Sequence, residues 1–466
     1  MRQKIQRAAG TDMFRAAAAA CLLCLSCHMH AGKRLVRVIE PTYATVTNFM
    51  FGRMAVFNSK GMGGIVTSGG KEILPCVSPV VVPVYSGPDG VAYYYDSAAG
   101  RGTLIDMDGN KVAVLPEGVL SNTAQRFNKG MLHVFVLEGS KMLPKMKWGM
   151  ADTSGKIVVP TVYDAMGAVS EGLINVYING KGGYILPDGK VAQQFIYDEA
   201  YPFSNGLAKV GQRKHGKMKY GLIDRGGNVV VPLEYDSMQD GFSDGRKAVG
   251  KLDIKSGKWS YGFIGTDGEV AVPLKFSMVG TFNEGLCAVT DREHKDNIAF
   301  INTAGDIVIP YIDKSDLFGM PVFNDGACIL RCSGKAGAID RNGNVIVPFE
   351  YDNETFLDKS PDFFHVNGAA LRLPVFVNGL AVMRKKGRWG VFDKAGRSII
   401  PAEYEQIVGS RTRAYFFVRK KGRWGMVDSA GSMLLPPVYQ DLSINQDEDM
   451  VCYKEDKKWG FMKIED

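Results

Sequence analysis

Histidine and cysteine are scarce in this 466-residue chain, 6 and 8 in all, and their placement excludes the common reaction centres. His133, His215, His294 and His365 stand alone, His28 and His30 follow an apolar N-terminal run, and there is neither an H-E-x-x-H pair nor a G-x-S-x-G elbow. No catalytic, metal or cofactor residue is therefore assigned. Five cysteines lie beyond residue 27 (Cys76, Cys287, Cys328, Cys332, Cys452), an odd number that implies no disulfide framework. Cys328 and Cys332 are four apart on an expected strand, about 13 Å at roughly 3.3 Å per residue, out of bridging range. Cys287 and Cys328 occupy a slot filled elsewhere by Ala208, Ala381 or Ile174, so packing accounts for them. The chain also lacks a block of one charge. Its net charge of +7 falls to +4 without the first 27 residues, and Lys and Arg alternate with Asp and Glu throughout, so a nucleic-acid partner is not expected.

Glycine and proline are abundant, 55 and 20, beside 45% hydrophobic residues, a balance of many turns and sizeable cores that points to an all-β chain. One pattern returns about every forty residues. Its clearest copy is residues 220–236, Tyr-Gly-Leu-Ile-Asp-Arg-Gly-Gly-Asn-Val-Val-Val-Pro-Leu-Glu-Tyr-Asp. A short strand, an Asp-x-x-Gly turn and a second strand make a β-hairpin, and Pro232, which has no N–H to donate, is expected to stop the ladder. The hairpin glycine recurs at Gly64, Gly102, Gly149, Gly183, Gly221, Gly262, Gly337, Gly390, Gly425 and Gly460, with Ala299 in its place once, which makes eleven hairpin starts. A turn glycine follows six residues later in most units and a proline eleven later, so the register is fixed. Tyr-Asp (Tyr163-Asp164, Tyr197-Asp198, Tyr235-Asp236, Tyr351-Asp352) comes next, then Phe-x-x-Gly and a short apolar strand. Each unit is read as a three-stranded antiparallel meander. The recurring turn aspartates (Asp152, Asp224, Asp340, Asp393, Asp428) suit local backbone hydrogen bonds better than a carboxylate site. Asp106-Met-Asp108-Gly109-Asn110 likewise reads as an Asp-Gly turn, since it lacks the ligand run of an EF-hand loop.

The motif resembles the bacterial WG (KWG) repeat, carried by Lys147-Trp148-Gly149, Arg388-Trp389-Gly390, Arg423-Trp424-Gly425 and Lys458-Trp459-Gly460, with Tyr220 and Tyr261 at the Trp position of other units. The resemblance implies a β-rich tandem repeat, often found on exported bacterial proteins, without a general catalytic activity. Continuous apolar runs such as residues 229–231 and 307–309 suggest strands buried on both faces, so neighbouring units must cover one another. An open superhelical array is the expectation, because eleven units exceed the usual four to eight propeller blades. One or two β-propellers are the alternative, favoured by the ends: residues 36–41 resemble a hairpin's second strand, and the last hairpin lacks one.

Residues 1–27 are read as an export signal, with a basic segment and an apolar run at 16–27 too short to span a bilayer. Cys27 is the candidate lipidation site of a lipoprotein signal, against cleavage after Ala31 and release. Residues 28–146 carry degenerate repeats and 147–466 regular ones, interrupted by an insertion at 353–374 whose Phe363, Phe364 and His365 form a candidate binding loop. The repeat aromatics Trp148, Tyr220, Tyr261, Trp389, Trp424 and Trp459 either pack between units, the expectation for a Trp beside Gly, or line a groove. The expected function is a non-catalytic binding or scaffold module at the bacterial cell envelope, in the periplasm or as an outer-membrane or cell-surface lipoprotein. Its partner is an envelope protein, peptide or glycan, and its membrane contact runs only through an N-terminal lipid. A structural spacer is the alternative, and an envelope enzyme with an unrecognised site a distant one.

Overall fold

The computed structural model describes residues 33–465 apart from 48, 50, 83–90, 122–129, 140–143, 296, 314–319, 353–363, 367–368, 372–374 and 446–448. Every regular element in it is a strand, and eleven small antiparallel sheets follow one another as blades. Blades 1 to 10 are residues 45–78, 81–114, 131–163, 165–197, 199–235, 237–276, 278–313, 327–351, 380–404 and 406–439. Blade 11 is residues 441–465 completed by residues 34–43. A separate pair, Phe364–Val366 with Ala369–Leu371, lies in the insertion between blades 8 and 9.

Blade 5 shows why the repeat folds this way. Leu207–Lys214 and Lys217–Asp224 pair without interruption from Leu207↔Asp224 to Lys214↔Lys217. They are joined through His215 and Gly216, whose φ of 50° and 77° suit the right-handed twist of a tight hairpin. Asp224 then opens the next turn by accepting the Asn228 amide at 2.8 Å, and Gly227 completes it at φ 86°. All eight turn glycines of this kind, Gly155 to Gly431, have positive φ. A β-branched residue is strained there, so Gly396→Val (Gly396 at φ 72°) should lower stability by roughly 1–3 kcal/mol in thermal or denaturant unfolding. A short lead strand, Glu199–Ala200, adds a fourth member on the far side of the hairpin. Eight blades have four described strands and three have three, so the unit is usually one strand larger than a three-stranded meander.

Two expectations about the last strand are overturned. Val229–Tyr235 runs straight through Pro232. The pairs Leu222↔Val231 and Tyr220↔Tyr235 leave Gly221 facing Pro232, Leu233 and Glu234, so the proline sits in a bulge of an edge strand, where its missing N–H costs nothing. Gly221 is what lets that bulge press inward: a Cβ there would come within 2.9 Å of the Leu233 nitrogen. Nor are both faces buried. Val229 and Val230 are 55% and 37% exposed and only Val231 is covered, because this strand lies at the outer rim with no sheet beyond it. Ile307 and Val308 are exposed likewise, with Ile309 buried.

The core is divided among the spaces between blades. Eleven hydrophobic clusters fill the described chain, each made by two consecutive blades; one joins blade 10 to blade 11, and another joins blade 11 to blade 1 through Met450, Cys452 and Phe461 with Met54, Val56 and Val66. The Phe of Phe-x-x-Gly is the wedge. Phe203, Phe282 and Phe323 stand edge-on against Tyr184, Phe263 and Phe300 of the preceding blade at 4.9, 4.8 and 5.0 Å. Cys287 and Cys328 are fully buried members of two such clusters, as small packing residues. The open array is thereby corrected to the alternative: the units close into a single eleven-bladed β-propeller. Arg34–Tyr43 pairs antiparallel with Lys458–Glu465, from Arg34↔Glu465 to Tyr43↔Trp459, and supplies the last strand that the terminal hairpin lacks. Because both ends share one blade, the number of blades equals the number of hairpins.

Candidate functional site

Antiparallel blades put their turns on two opposite faces of the ring. One face carries the Phe-x-x-Gly and Asp-x-x-Gly turns, and we refer to it as the turn face. The other carries the tight hairpin ends and the Tyr-Asp crossings between blades, and is the hairpin face. On the turn face the acids are spent on the ring itself. Glu171 accepts the Gly206 amide at 2.9 Å, Asp244 that of Gly285 at 2.7 Å, Glu284 that of Gly326 at 2.9 Å, and Asp325 that of Gly379. Asp106, Asp152, Asp224, Asp340, Asp393 and Asp428 each accept amides of their own turn. Among the described residues no group of His, Cys, Asp and Glu is placed to hold a metal.

The hairpin face is built from a repeated ion pair whose signal the sequence reading missed. The Lys of K-W-G, or its equivalent, reaches the Asp of Tyr-Asp seventeen residues on: Lys147 to Asp164 at 2.6 Å, Lys181 to Asp198 at 2.7 Å and Lys219 to Asp236 at 2.6 Å. Lys335 and Asp352 repeat it at 3.9 Å. The carboxylate's other oxygen caps the next blade's hairpin, taking the amides of Asn179, Arg213, Leu252 and Gly387. Each Tyr-Asp acid is thus a clamp between two blades. Lys147 and Lys181 hold Asp164 and Asp198 below the ordinary carboxyl range. Burial works to raise Asp236, but the Leu252 amide and Lys219 outweigh it, so it is lowered too.

A carboxyl lowered by folding stabilises the fold above its unfolded value and ceases to as pH falls through the folded one. The ring should therefore lose stability as pH drops below about 4. Asp236→Asn, which keeps an acceptor but no titrating charge, should show a shallower fall of Tm with pH than the parent. It should also cost about 1–3 kcal/mol at neutral pH, since Lys219 is left without its counter-charge.

Following the clamp around the ring shows where it fails. At blades 9 and 10 the position holds Glu405, kept low first by the Gly422 amide and then by Lys421, Arg419 and Arg388. At blades 10 and 11 it holds Gln440, whose Oε1 accepts the Lys457 amide at 2.8 Å. The amide keeps the cap and drops the charge. Arg423, the basic residue of that repeat, has no ion pair among the described residues, whereas the lysines of blades 3, 4, 5 and 8 do. An open cleft of about 490 Å³ lies over this junction, lined by Gly422, Arg423, Gln440, Asp441, Lys454 and Lys457. Asp441 turns its carboxylate back to the Leu442 amide at 3.0 Å, so three cations face one acid already engaged. One blade further on, Lys458 meets Ala44 at the same position and is again without an acid of this kind.

The repeat aromatics do not form this cleft. Trp389 is buried between blades 9 and 10, and Trp148, Tyr220, Trp424 and Trp459 are half-buried against neighbouring clusters. Each pairs across its sheet with the last strand's aromatic, as in Trp148↔Tyr163, Trp389↔Tyr404, Trp424↔Tyr439, Tyr220↔Tyr235 and Tyr261↔Phe276. Cations cover two of the remaining faces, Arg419 over Trp424 at 5.9 Å and Lys454 over Trp459 at 5.4 Å. Of the candidate loop, Phe364 and His365 lie in the short pair described above, and Phe363 is outside the described residues, as is Cys27.

Two other polar clusters are structural. Lys209 and Lys247 are buried between blades 5 and 6, Lys209 bonded to Asp240 and Lys247 to the Gln239 and Asp240 carbonyls at 3.0 and 2.8 Å. Burial, and then the Lys209 charge, bring Lys247 down to about 8. In blade 7, Asp291 accepts from the His294 amide at 2.7 Å and from Tyr311, with the His294 and Tyr311 rings stacked at 3.8 Å, which caps a longer hairpin turn.

A closed ring of repeated sheets whose acids and aromatics bind blade to blade, with a basic cleft between blades 10 and 11, defines a β-propeller scaffold. The chain is a WG-repeat protein. The family model described as "WG containing repeat" matches residues 148–181, 183–214, 220–259, 261–292, 337–353, 389–424 and 424–459. Most matches run from the second hairpin strand of one blade to the hairpin of the next, so repeat and blade are out of phase. No curated protein matches the chain. Among solved structures it is similar to a crystal structure of a eukaryotic initiation factor, at 13% identity, over 89% of this chain and 98% of that one, with a TM-score of 0.40. It is also similar to a chain of a mitotic checkpoint complex, at 9% identity, over 65% and 95%, with a TM-score of 0.26. Scores of this size say nothing further about the protein.

Proposed function

We propose that the protein is a non-catalytic binding and scaffold module that holds a partner on its hairpin face. The observation that carries this is the lapse of the clamp at Gln440. A ring that meets the K-W-G cations of blades 3, 4, 5 and 8 with its own aspartates leaves Arg423, Lys454 and Lys457 around an open cleft. The scarcity of convergent nucleophiles and bases in the sequence favours binding over catalysis. The basic, apolar N-terminal segment supports export to the cell envelope, in the periplasm or on a membrane surface, with Cys27 as the lipid attachment point. The partner is then an envelope protein, peptide or glycan. A spacer role is supported by one observation, the packing of the repeat aromatics between blades.

The test is photo-crosslinking in cells, with a photoreactive residue at Lys421 on the hairpin face or at Asn342 on the turn face. The binding reading expects discrete adducts from Lys421 and none from Asn342. No adduct from either, with the ring folded, would favour the spacer. A variant lacking residues 353–374 measures what the insertion adds to capture.

A further inference from the structure

The cleft between blades 10 and 11 lacks one specific group, and the other repeats show what that group is. At four junctions the K-W-G cation is met by an aspartate carboxylate (Asp164, Asp198, Asp236, Asp352), and at a fifth Glu405 stands opposite Arg388. At the sixth the same geometry holds Arg423 and the amide of Gln440, which has no charge to offer. Lys454 and Lys457 border the same space from blade 11. Resting on the binding reading above, we propose that this cleft receives a carboxylate side chain of an acidic polypeptide segment, which supplies from outside the acid the repeat omits.

The chemistry of the walls selects among anions. Single-stranded nucleic acids and most sugars bind through exposed aromatic platforms, but Trp424 and Trp459 are packed between blades and covered by Arg419 and Lys454. A membrane presents a dense plane of phosphate charge, which Asp441 in this cleft repels more than it repels an isolated carboxylate. An extended acidic peptide fits both features. It can also place a second carboxylate toward Lys458, the next K-W-G cation without an acid.

The experiment uses the full chain, with poly-L-glutamate, heparin, single-stranded DNA and phosphatidylglycerol vesicles as probes at moderate salt. Poly-L-glutamate should bind and release as salt rises. Gln440→Glu restores the repeat's own acid, so it should fold at least as stably as the parent yet bind poly-L-glutamate about fivefold more weakly, the scale of one exposed ion pair. Lys217→Gln removes one positive charge from blade 5 on the same face and should leave binding unchanged. Arg423→Glu with Lys457→Glu should abolish it. Equal losses in Gln440→Glu and Lys217→Gln would mean diffuse charge and overturn the site, as would preferential binding of heparin, DNA or vesicles. If poly-L-glutamate fails while Lys421 still crosslinks, the acidic-peptide inference falls and the binding module stands. If the crosslinks are absent as well, both fall.

Discussion

Removing residues 34–43 should open the ring, and it is expected to be the most damaging deletion of its length in the chain. These residues form the last strand of blade 11, paired with Lys458–Glu465, and no other segment can replace them because every other hairpin already has its own last strand. Leu35, Val38 and Ile39 pack into the two clusters flanking blade 11, and Tyr43 is 9% exposed. At about 1.5–3 kcal/mol for each large apolar side chain fully buried, and less for the half-covered ones, the forfeited burial amounts to roughly 4–8 kcal/mol. The larger effect is on cooperativity. A closed ring cannot shed one blade without breaking two interfaces, whereas an opened one frays from both new ends as a linear repeat array does. Thermal unfolding should change from one sharp transition to a broad early one, with aggregation through the exposed Lys458–Glu465 edge. A circular permutant separates closure from mere loss of residues. Arg34 and Glu465 are register partners, so a short linker from 465 to 34, with new ends at 43 and 45, reconnects blade 11 in order. This permutant should retain the parental transition. If the truncated chain melted like the parent, closure would not be what holds the ring.

Much of this architecture is legible because turns and registers are written in residues of special conformation. Gly, Asp and Pro recur at fixed offsets, and eleven hairpin starts correspond to eleven blades. The unlike ends at residues 36–41 and 459–462 even announce the shared blade. What misleads is a general rule on blade number, which the chain does not obey, and two rules about strands. A proline ordinarily ends a strand, but Pro232 lies in a bulge of an outer edge where no partner needs its N–H. A run of valines ordinarily marks a doubly buried strand, but Val229 and Val230 lie on the rim. The site is less visible. The seventeen-residue spacing of Lys and Asp is present in the sequence, but it joins strands of different rank across a blade junction, and nothing local marks Lys219 and Asp236 as a pair. Without the pair, Gln440 looks like any surface glutamine. With it, the same residue is the repeat position where an expected charge is absent beside an arginine.

Gly425→Ala should cost about 3 kcal/mol or more, although Gly425 has no need of positive φ. The reason is proximity. A Cβ built there would meet the Leu435 carbonyl oxygen at 2.6 Å, the Pro437 nitrogen at 2.8 Å and the Pro436 carbonyl carbon at 2.9 Å, all of them backbone. No rotamer change relieves such a contact. The bulge carrying Pro436 and Pro437 must move outward, and with it Tyr439, which pairs with Trp424 and packs into the cluster between blades 10 and 11. Gly422, three residues earlier, is the control. It has φ 72° and nothing within 4 Å of a new Cβ, so Gly422→Ala carries only the backbone strain of a left-handed alanine, about 1 kcal/mol. Urea unfolding of the two variants should place Gly425→Ala well below Gly422→Ala. Equal losses would mean that the glycine of the WG pair serves the chain's flexibility and not the close seating of the last strand. The expected order instead makes glycine, rather than its neighbour, the member of the pair on which the bulge depends; the unit with Ala299 in that place has only Pro310 and Tyr311 opposite it, where Gly221 faces three residues. That fits the units in which the Trp position is held by Tyr220, Tyr261, Gly182 or Ala336 while the glycine beside it is kept.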